Sequence, residues 1–215
     1  RPRTLLVVGD GTIGHLAVRA ARRWLRAGVR TVLVHHTAAG HAFSTARPYP
    51  ADLLLGADEL RSQRPAGPVA ALLATPRDAT LSALETVLGV AGSDLVVDLV
   101  GGLPAGARSA LLPGLDLAAV RAANCGGLPD PARIAVTARG VRLFGHRGVA
   151  NRHLRDAAAE LARAPERYRD LITHRTGLDG AARVMRALAA SPSRIVDGRR
   201  LVKLSVVIGR REEAP

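Results

Sequence analysis

The residues best placed to do chemistry stand almost at the start of the chain, in Val8-Gly9-Asp10-Gly11-Thr12-Ile13-Gly14. Three glycines at this spacing suit a phosphate seat. Gly9 permits the tight turn that leaves a strand, Gly11 lets the backbone approach a pyrophosphate with no Cβ in the way, and Gly14 lets the following helix pack close to a sheet. The amides of Thr12 and Ile13, at a helix start where the first N–H groups have no intrahelical acceptor, would face the anion with the helix dipole behind them. The pattern alone is weak in a chain with 22 glycines. Its context strengthens it, because a dinucleotide seat must follow a strand and open a helix.

That context is present. Thr4 to Val8 is a short apolar run consistent with a strand buried on both faces. Thr12 to about Ala27 reads as a helix, with Ile13, Leu16, Ala17, Ala20 and Trp24 on the inner face and Arg19, Arg22, Arg23 and Arg26 on the outer. Gly28 suits the left-handed position after a helix end, and Thr31 to Val34 is a second strand. Residues 37–68, rich in Pro, Gly and Ala, read as loop around a short helix or strand. Strands are expected at Val69–Ala74, Asp94–Val100, Val141–Phe144 and Leu201–Ile208. Helices are expected at Thr80–Val90, with Leu81, Leu84, Val87 and Leu88 inward, at Asn151–Arg163 with Asn151 as N-cap, and at Leu178–Ala190. Such alternation argues for an open α/β sheet.

An acid commonly ends the second strand and binds the adenosine ribose, but here the residues are His35-His36-Thr37. Without a carboxylate to repel a 2′-phosphate, the balance between NAD and NADP leans to NADP. His35 or His36 is then the candidate contact to the ribose or its phosphate; a plain polar strand end is the alternative. His146 and Arg147, in Gly145-His146-Arg147-Gly148, are candidates to face a substrate, since ligands gather in loops at the carboxyl ends of parallel strands. Arg147 would orient a polyhydroxylated molecule through its donor fork. Cys125, a lone cysteine, reads as packing, and it excludes an internal disulfide. His153 and His174 lack the spacing of a helical metal pair, Asp94 and Asp98 flank a strand, and neither a nucleophile elbow nor a Walker-type lysine occurs.

Composition narrows the class. The net charge of +13 invites a nucleic-acid partner, but the basic residues are arginines spread along the chain, Lys203 is the only lysine, and aromatic residues are 2%. No apolar run is long enough for a membrane span. A cytoplasmic protein with no nucleic-acid or membrane partner is expected.

Five stretches together resemble the medium-chain dehydrogenase/reductase superfamily of zinc-type alcohol and polyol dehydrogenases: VVGDGTIGHLAVRAAR, DLVVDLVGGLP, VRLFGHRGVANRHLRDAAAEL, LITHRTGLDGAARVMRAL and VKLSVVI. Within it, GHRGVANRHL is similar to the cyclitol and aminocyclitol dehydrogenases, the 2-deoxy-scyllo-inosamine dehydrogenase type, of antibiotic biosynthesis. The resemblance implies a Rossmann-type doubly wound parallel sheet over residues 1–165. It implies a segment, 166–215, that returns through an ITHR turn and a helix to an N-terminal GroES-like catalytic domain not contained in this sequence. Catalytic residues and any zinc would belong to that domain, and this piece alone would be inactive. The chemistry implied is hydride transfer between NADP or NAD and an alcohol or ketone, in a homo-oligomer. Carried over by the match, Gly9, Gly11, Thr12, Ile13 and Gly14 would hold the pyrophosphate; Thr75, Gly101 and Gly102 would lie near the nicotinamide ribose or carboxamide; Phe144 would lie on the nicotinamide side; and Lys203 could approach the pyrophosphate. His35 in place of an acid and the Pro- and Gly-rich stretch from Asn124 to Gly140 depart from the family pattern. Three alternatives stand beside this reading: a non-catalytic dinucleotide-sensing domain, a basic nucleic-acid-binding protein, and a sugar oxidoreductase, to which LLATPRDATLSALE would also fit.

Overall fold

The computed structural model describes residues 1–92, 94–124, 136–145, 148–191 and 193–208, and these divide into two compact units, Arg1–Arg163 and the residues from Ala164 onward. In the first unit the order is β1 Thr4–Val8, α1 Thr12–Trp24, β2 Arg30–His35, α2 Ala38–Thr45, β3 Leu53–Gly56, α3 Ala57–Ser62, β4 Val69–Leu73, α4 Thr80–Val90, β5 Leu95–Leu99, α5 Leu117–Ala122, β6 Val136–Ala138, β7 Val141–Gly145 and α6 Asn151–Arg163. The strands form one sheet in the order β3-β2-β1-β4-β5-β7-β6. All neighbours are parallel except the β6–β7 hairpin.

Short runs such as Leu-Leu-Val-Val and Leu-Val-Val make buried parallel strands because helices cover both sheet faces. The main core gathers Leu6, Leu73, Leu84, Val87, Val97, Leu99 and Leu143 on one face, and a second cluster of Val7, Val18, Leu33 and Ala51 lies under α1. The chain winds outward from β1 through β2 to β3, then returns to β4 on the other side of β1. Strand order therefore reverses between β1 and β4, and at such a switch point the loops diverge and leave a crevice at the carboxyl edge.

Several sequence expectations change. Helix α1 buries Gly14, His15, Val18, Arg19 and Ala21, while Ile13 and Trp24 are 51% and 63% exposed. The cause is Gly14: a Cβ there would lie 1.8 Å from Gly9 O, so this glycine must face the sheet. Its partners one and two turns on are then Val18 and Ala21. Arg19, expected in solvent, is fully buried, with its guanidinium 5.8 Å from the Tyr49 ring centroid. The helix ends at Trp24, because Leu25 takes extended backbone and Arg26–Gly28 turn into β2. Residues 37–68 hold two helices and a strand. The hairpin joining β6 and β7 turns at Arg139 and Gly140, both with positive φ (51° and 79°), the backbone a two-residue hairpin requires. Asn151 is the first helical residue of α6 rather than its cap, since Ala150 O accepts from His153 and Leu154.

The second unit contains α7 Glu166–Arg169, β8 Ile172–Thr176, α8 Leu178–Ala190, β9 Ile195–Val196, β10 Arg199–Arg200 and β11 Lys203–Val206. The ITHR segment, expected as a turn, is strand β8 and pairs in parallel with β11. Thr173 binds the two strands further, its Oγ1 accepting from the Val202 amide at 3.0 Å. Both ring nitrogens of His174 are engaged, with Thr173 Oγ1 at 3.0 Å and Val196 O at 3.1 Å, which makes its role structural. β11 is shorter than the strand expected over 201–208. Among the described residues, no helix is long and apolar enough to cross a membrane.

Candidate dinucleotide site

The glycine-rich turn sits at the carboxyl end of β1, inside the switch-point crevice. Gly9 adopts φ +110°, and a Cβ there would lie 2.5 Å from Ala74 O, in the chain leaving β4. No side chain other than hydrogen therefore fits between these two strand ends. Its amide donates to Val34 O at 3.1 Å, while the Ala74 amide donates to Val8 O at 2.8 Å, so three strand ends hold the turn. Gly11 is the N-cap of α1 in extended conformation, with no side-chain cap hydrogen bond and no acidic residue in the first helical turn. The first intrahelical bond is His15 N to Gly11 O, at 3.1 Å. The turn at Thr12, Ile13 and Gly14 thus has the geometry that favours an anion.

The two histidines offered as alternative ribose contacts at the end of β2 are placed differently from each other. His35 is buried, its Nδ1 3.2 Å from Asp10 Oδ2, and its ring stands edge-on to His41 at 5.3 Å between centroids. It faces the glycine turn. His36 is exposed, immediately before Thr37, whose Oγ1 caps α2 by accepting from the Gly40 amide at 3.1 Å. Of the pair, only His36 is exposed at this strand end.

On the other side of the crevice, Thr75 follows β4 and shares a 3.0 Å hydrogen bond with Thr80, the first residue of α4. Gly101 packs against both: a Cβ would approach Thr80 Oγ1 to 2.4 Å and Thr75 O to 2.7 Å, and its amide donates to Leu73 O at 2.7 Å. Gly102 lies against Arg77, its would-be Cβ 3.1 Å from the arginine Cβ. Phe144 is paired across the sheet with Asp98, one residue from the end of β7. Thr75, Gly101, Gly102 and Phe144 therefore gather along the carboxyl edge of β4, β5 and β7, continuous with the turn after β1.

Residues that sequence reasoning passed over brace this edge. Asn124 Nδ2 donates to Gly145 O at 2.7 Å, and Arg121 Nη2 donates to Val100 O at 3.1 Å. A Cβ on Gly145 would lie 2.7 Å from Arg121 Cα, so the ends of β5 and β7 are clamped by α5 and by Asn124, two residues beyond it. The only sequence signal for this is the short Ala-Ala-Asn run, which says nothing about its partner across the sheet. His146, Arg147 and Cys125 lie outside the described residues. Lys203 is exposed at the start of β11, in the second unit. Among the described residues no group of three or more His, Cys, Asp or Glu gathers as a metal site.

No protein-family model matches the sequence, and neither does any curated protein. Solved structures do match. L-Idonate 5-dehydrogenase of Escherichia coli superposes with a TM-score of 0.62 at 16% identity, over 97% of this chain and 51% of its own. An alcohol dehydrogenase of Thermotoga maritima gives 0.59 at 18% identity, over 87% of this chain and 47% of its own. A Sinorhizobium meliloti protein assigned as a zinc-binding dehydrogenase, bound to NADP, gives 0.61 at 20% identity, over 96% of this chain and 52% of its own. The chain spans about half the length of these structures, and what it shares with them is the Rossmann-type α/β fold.

Proposed function

We propose that this chain is the coenzyme-binding portion of an NAD(P)-dependent alcohol dehydrogenase, which moves hydride between a nicotinamide coenzyme and a secondary alcohol or ketone. The observation that carries the reading is the turn after β1. It places Gly9 and Gly14 where no Cβ fits and leaves the α1 end without a side-chain cap. It also sits at the strand-order reversal, where a diphosphate is received by helix amides. In this reading Gly9, Gly11, Thr12, Ile13 and Gly14 seat the diphosphate, and Thr75, Gly101 and Gly102 border the nicotinamide half, with Phe144 beside it. The nicotinamide supplies the hydride chemistry when bound; the protein binds and orients it. The NADP bound to the Sinorhizobium meliloti protein supports the coenzyme class. His35-His36-Thr37 standing where an acid commonly ends the second strand favours NADP over NAD, with the exposed His36 as the contact to the adenosine ribose.

The finer assignments rest on sequence resemblance. They comprise a polyol or cyclitol substrate met by His146 and Arg147, and a returning C-terminal segment that brings Lys203 toward the diphosphate. A zinc-bearing GroES-like domain outside this sequence and a homo-oligomeric enzyme belong to the same reading.

Titration of the chain with NADPH and NADH, followed by nucleotide fluorescence, tests the core of the proposal. Saturable binding of at least one, tighter for NADPH, is expected. Binding of neither removes the coenzyme assignment, and tighter binding of NADH removes the preference for NADP alone.

A further inference from the structure

Two threonine hydroxyls at the switch point are bonded in one direction only. Thr75 stands between two of the glycines that shape the crevice: its amide nitrogen is 3.4 Å from the Cβ that Gly9 lacks, and its Oγ1 is 3.0 Å from the Cβ that Gly101 lacks. The same Oγ1 is 3.0 Å from Thr80 Oγ1, and Thr80 Oγ1 donates to Pro76 O at 2.9 Å. Neither hydroxyl has a further partner among the described residues.

Counting protons sets the direction. A hydroxyl has one proton to donate and two lone pairs, whereas a carbonyl oxygen only accepts. Thr80 gives its proton to Pro76 O, so the bond between the threonines is donated by Thr75. In the reverse order the Thr75 proton would have no acceptor among the described residues. Thr80 is fully buried, so its hydroxyl has no water to turn to, while Thr75 is half-buried and keeps exposed surface. Thr75 Oγ1, its own proton engaged, is left as an acceptor. Gly101 keeps room for the arrangement, since a Cβ there would come within 2.4 Å of Thr80 Oγ1.

We infer that Thr80 is a positioning residue, which acts through Thr75 by holding its hydroxyl as an acceptor for a hydrogen-bond donor on the nicotinamide half of the coenzyme. The inference rests on the coenzyme reading above and adds a requirement to it: the group that Thr75 meets must carry a proton. The ribose hydroxyls and the carboxamide N–H qualify, and an ionised phosphate oxygen does not. The crevice thereby tells one end of the ligand from the other, with anion-seeking amides after β1 and an acceptor after β4. No covalent bond is made or broken.

The test is titration of the whole chain, directly or by competition, with NADH, ADP-ribose and ADP, or with the 2′-phosphorylated series where NADPH binds tighter. Thr80→Val keeps the shape and removes the hydroxyl. It is expected to weaken the dinucleotide by about three- to tenfold, what one net hydrogen bond is worth, and to leave ADP unchanged. Thr80→Ser, which keeps the hydroxyl, is expected to bind like the unaltered chain. ADP-ribose weakened as much as the dinucleotide places the donor on the ribose; ADP-ribose unchanged places it on the carboxamide. Both outcomes support the inference. Should Thr80→Val fail to fold, Thr75→Val removes the acceptor itself and is expected to give the same selective loss. Equal weakening of ADP and dinucleotide, no weakening of either, or a loss in Thr80→Ser as large as in Thr80→Val overturns the inference and leaves the coenzyme reading standing. Binding of neither NADH nor NADPH by the unaltered chain overturns both.

Discussion

Gly14 shows how one missing methyl group organises a site. A Cβ there would stand 1.8 Å from Gly9 O, a backbone atom that cannot swing away. Gly14→Ala must therefore push α1 off the sheet or distort the turn. A loss of about 1–3 kcal/mol or more in denaturant unfolding is expected from such overpacking, together with loss of NADPH binding. Wild-type affinity in a well-folded G14A protein would show that the turn tolerates what its geometry forbids. Asp52 offers a second case, away from the site. Burial acts to raise its pKa, but hydrogen bonds from the Thr31 amide and hydroxyl, both 2.7 Å, with Arg22 and Arg30 nearby, outweigh this and hold it below the usual value. A lowered folded-state pKa contributes stability above the unfolded-state value, and that contribution is lost as pH falls through the folded-state value. Because the carboxylate is 46% exposed, solvent discounts the effect, and Asp52→Ala should cost about 1 kcal/mol at neutral pH and less in acid. Urea melts at neutral and acid pH check both the size and the convergence.

At the scale of elements, α1 separates what periodicity can supply from what packing decides. The sequence marks a helix and its approximate length, but of the apolar stripe Ile13, Leu16, Ala17, Ala20 and Trp24, Ala17 packs against the core under α1 while Ile13 and Trp24 are exposed. The rotation is set by the close approach at Gly14, and the same rotation buries Arg19 against Tyr49. Arg19→Ala should therefore destabilise by about 2 kcal/mol through lost packing of its stem and stacked guanidinium. Trp24→Ala, at a side chain in solvent, should change stability by less than about 0.5 kcal/mol. Equal effects of the two substitutions in thermal melts would contradict this orientation. The strand read as a turn at Ile172–Thr176 has a related cause: its partner lies some thirty residues away, and a pairing at that distance leaves no local mark.

For the whole molecule, the alternation of apolar runs and helical segments was enough to read an α/β fold, and the glycine spacing enough to mark the tight turn between β1 and α1. Each depends on covalent spacing and local backbone demands: two-sided burial needs continuous apolar strands, and a phosphate turn needs residues without side chains. Tertiary structure alone decided which strands are neighbours, so that the turn after β1 meets the chain leaving β4. It also decided that His35 turns inward onto Asp10, and that Asn124 and Arg121 brace the far edge. These are contacts between residues more than twenty positions apart, and their energies depend on burial and on the direction of a side chain, neither of which is written in residue type. The sequence by itself determined the principal strands and helices and the glycine turn after β1; the packing of the sheet determined which charges stand beside that turn.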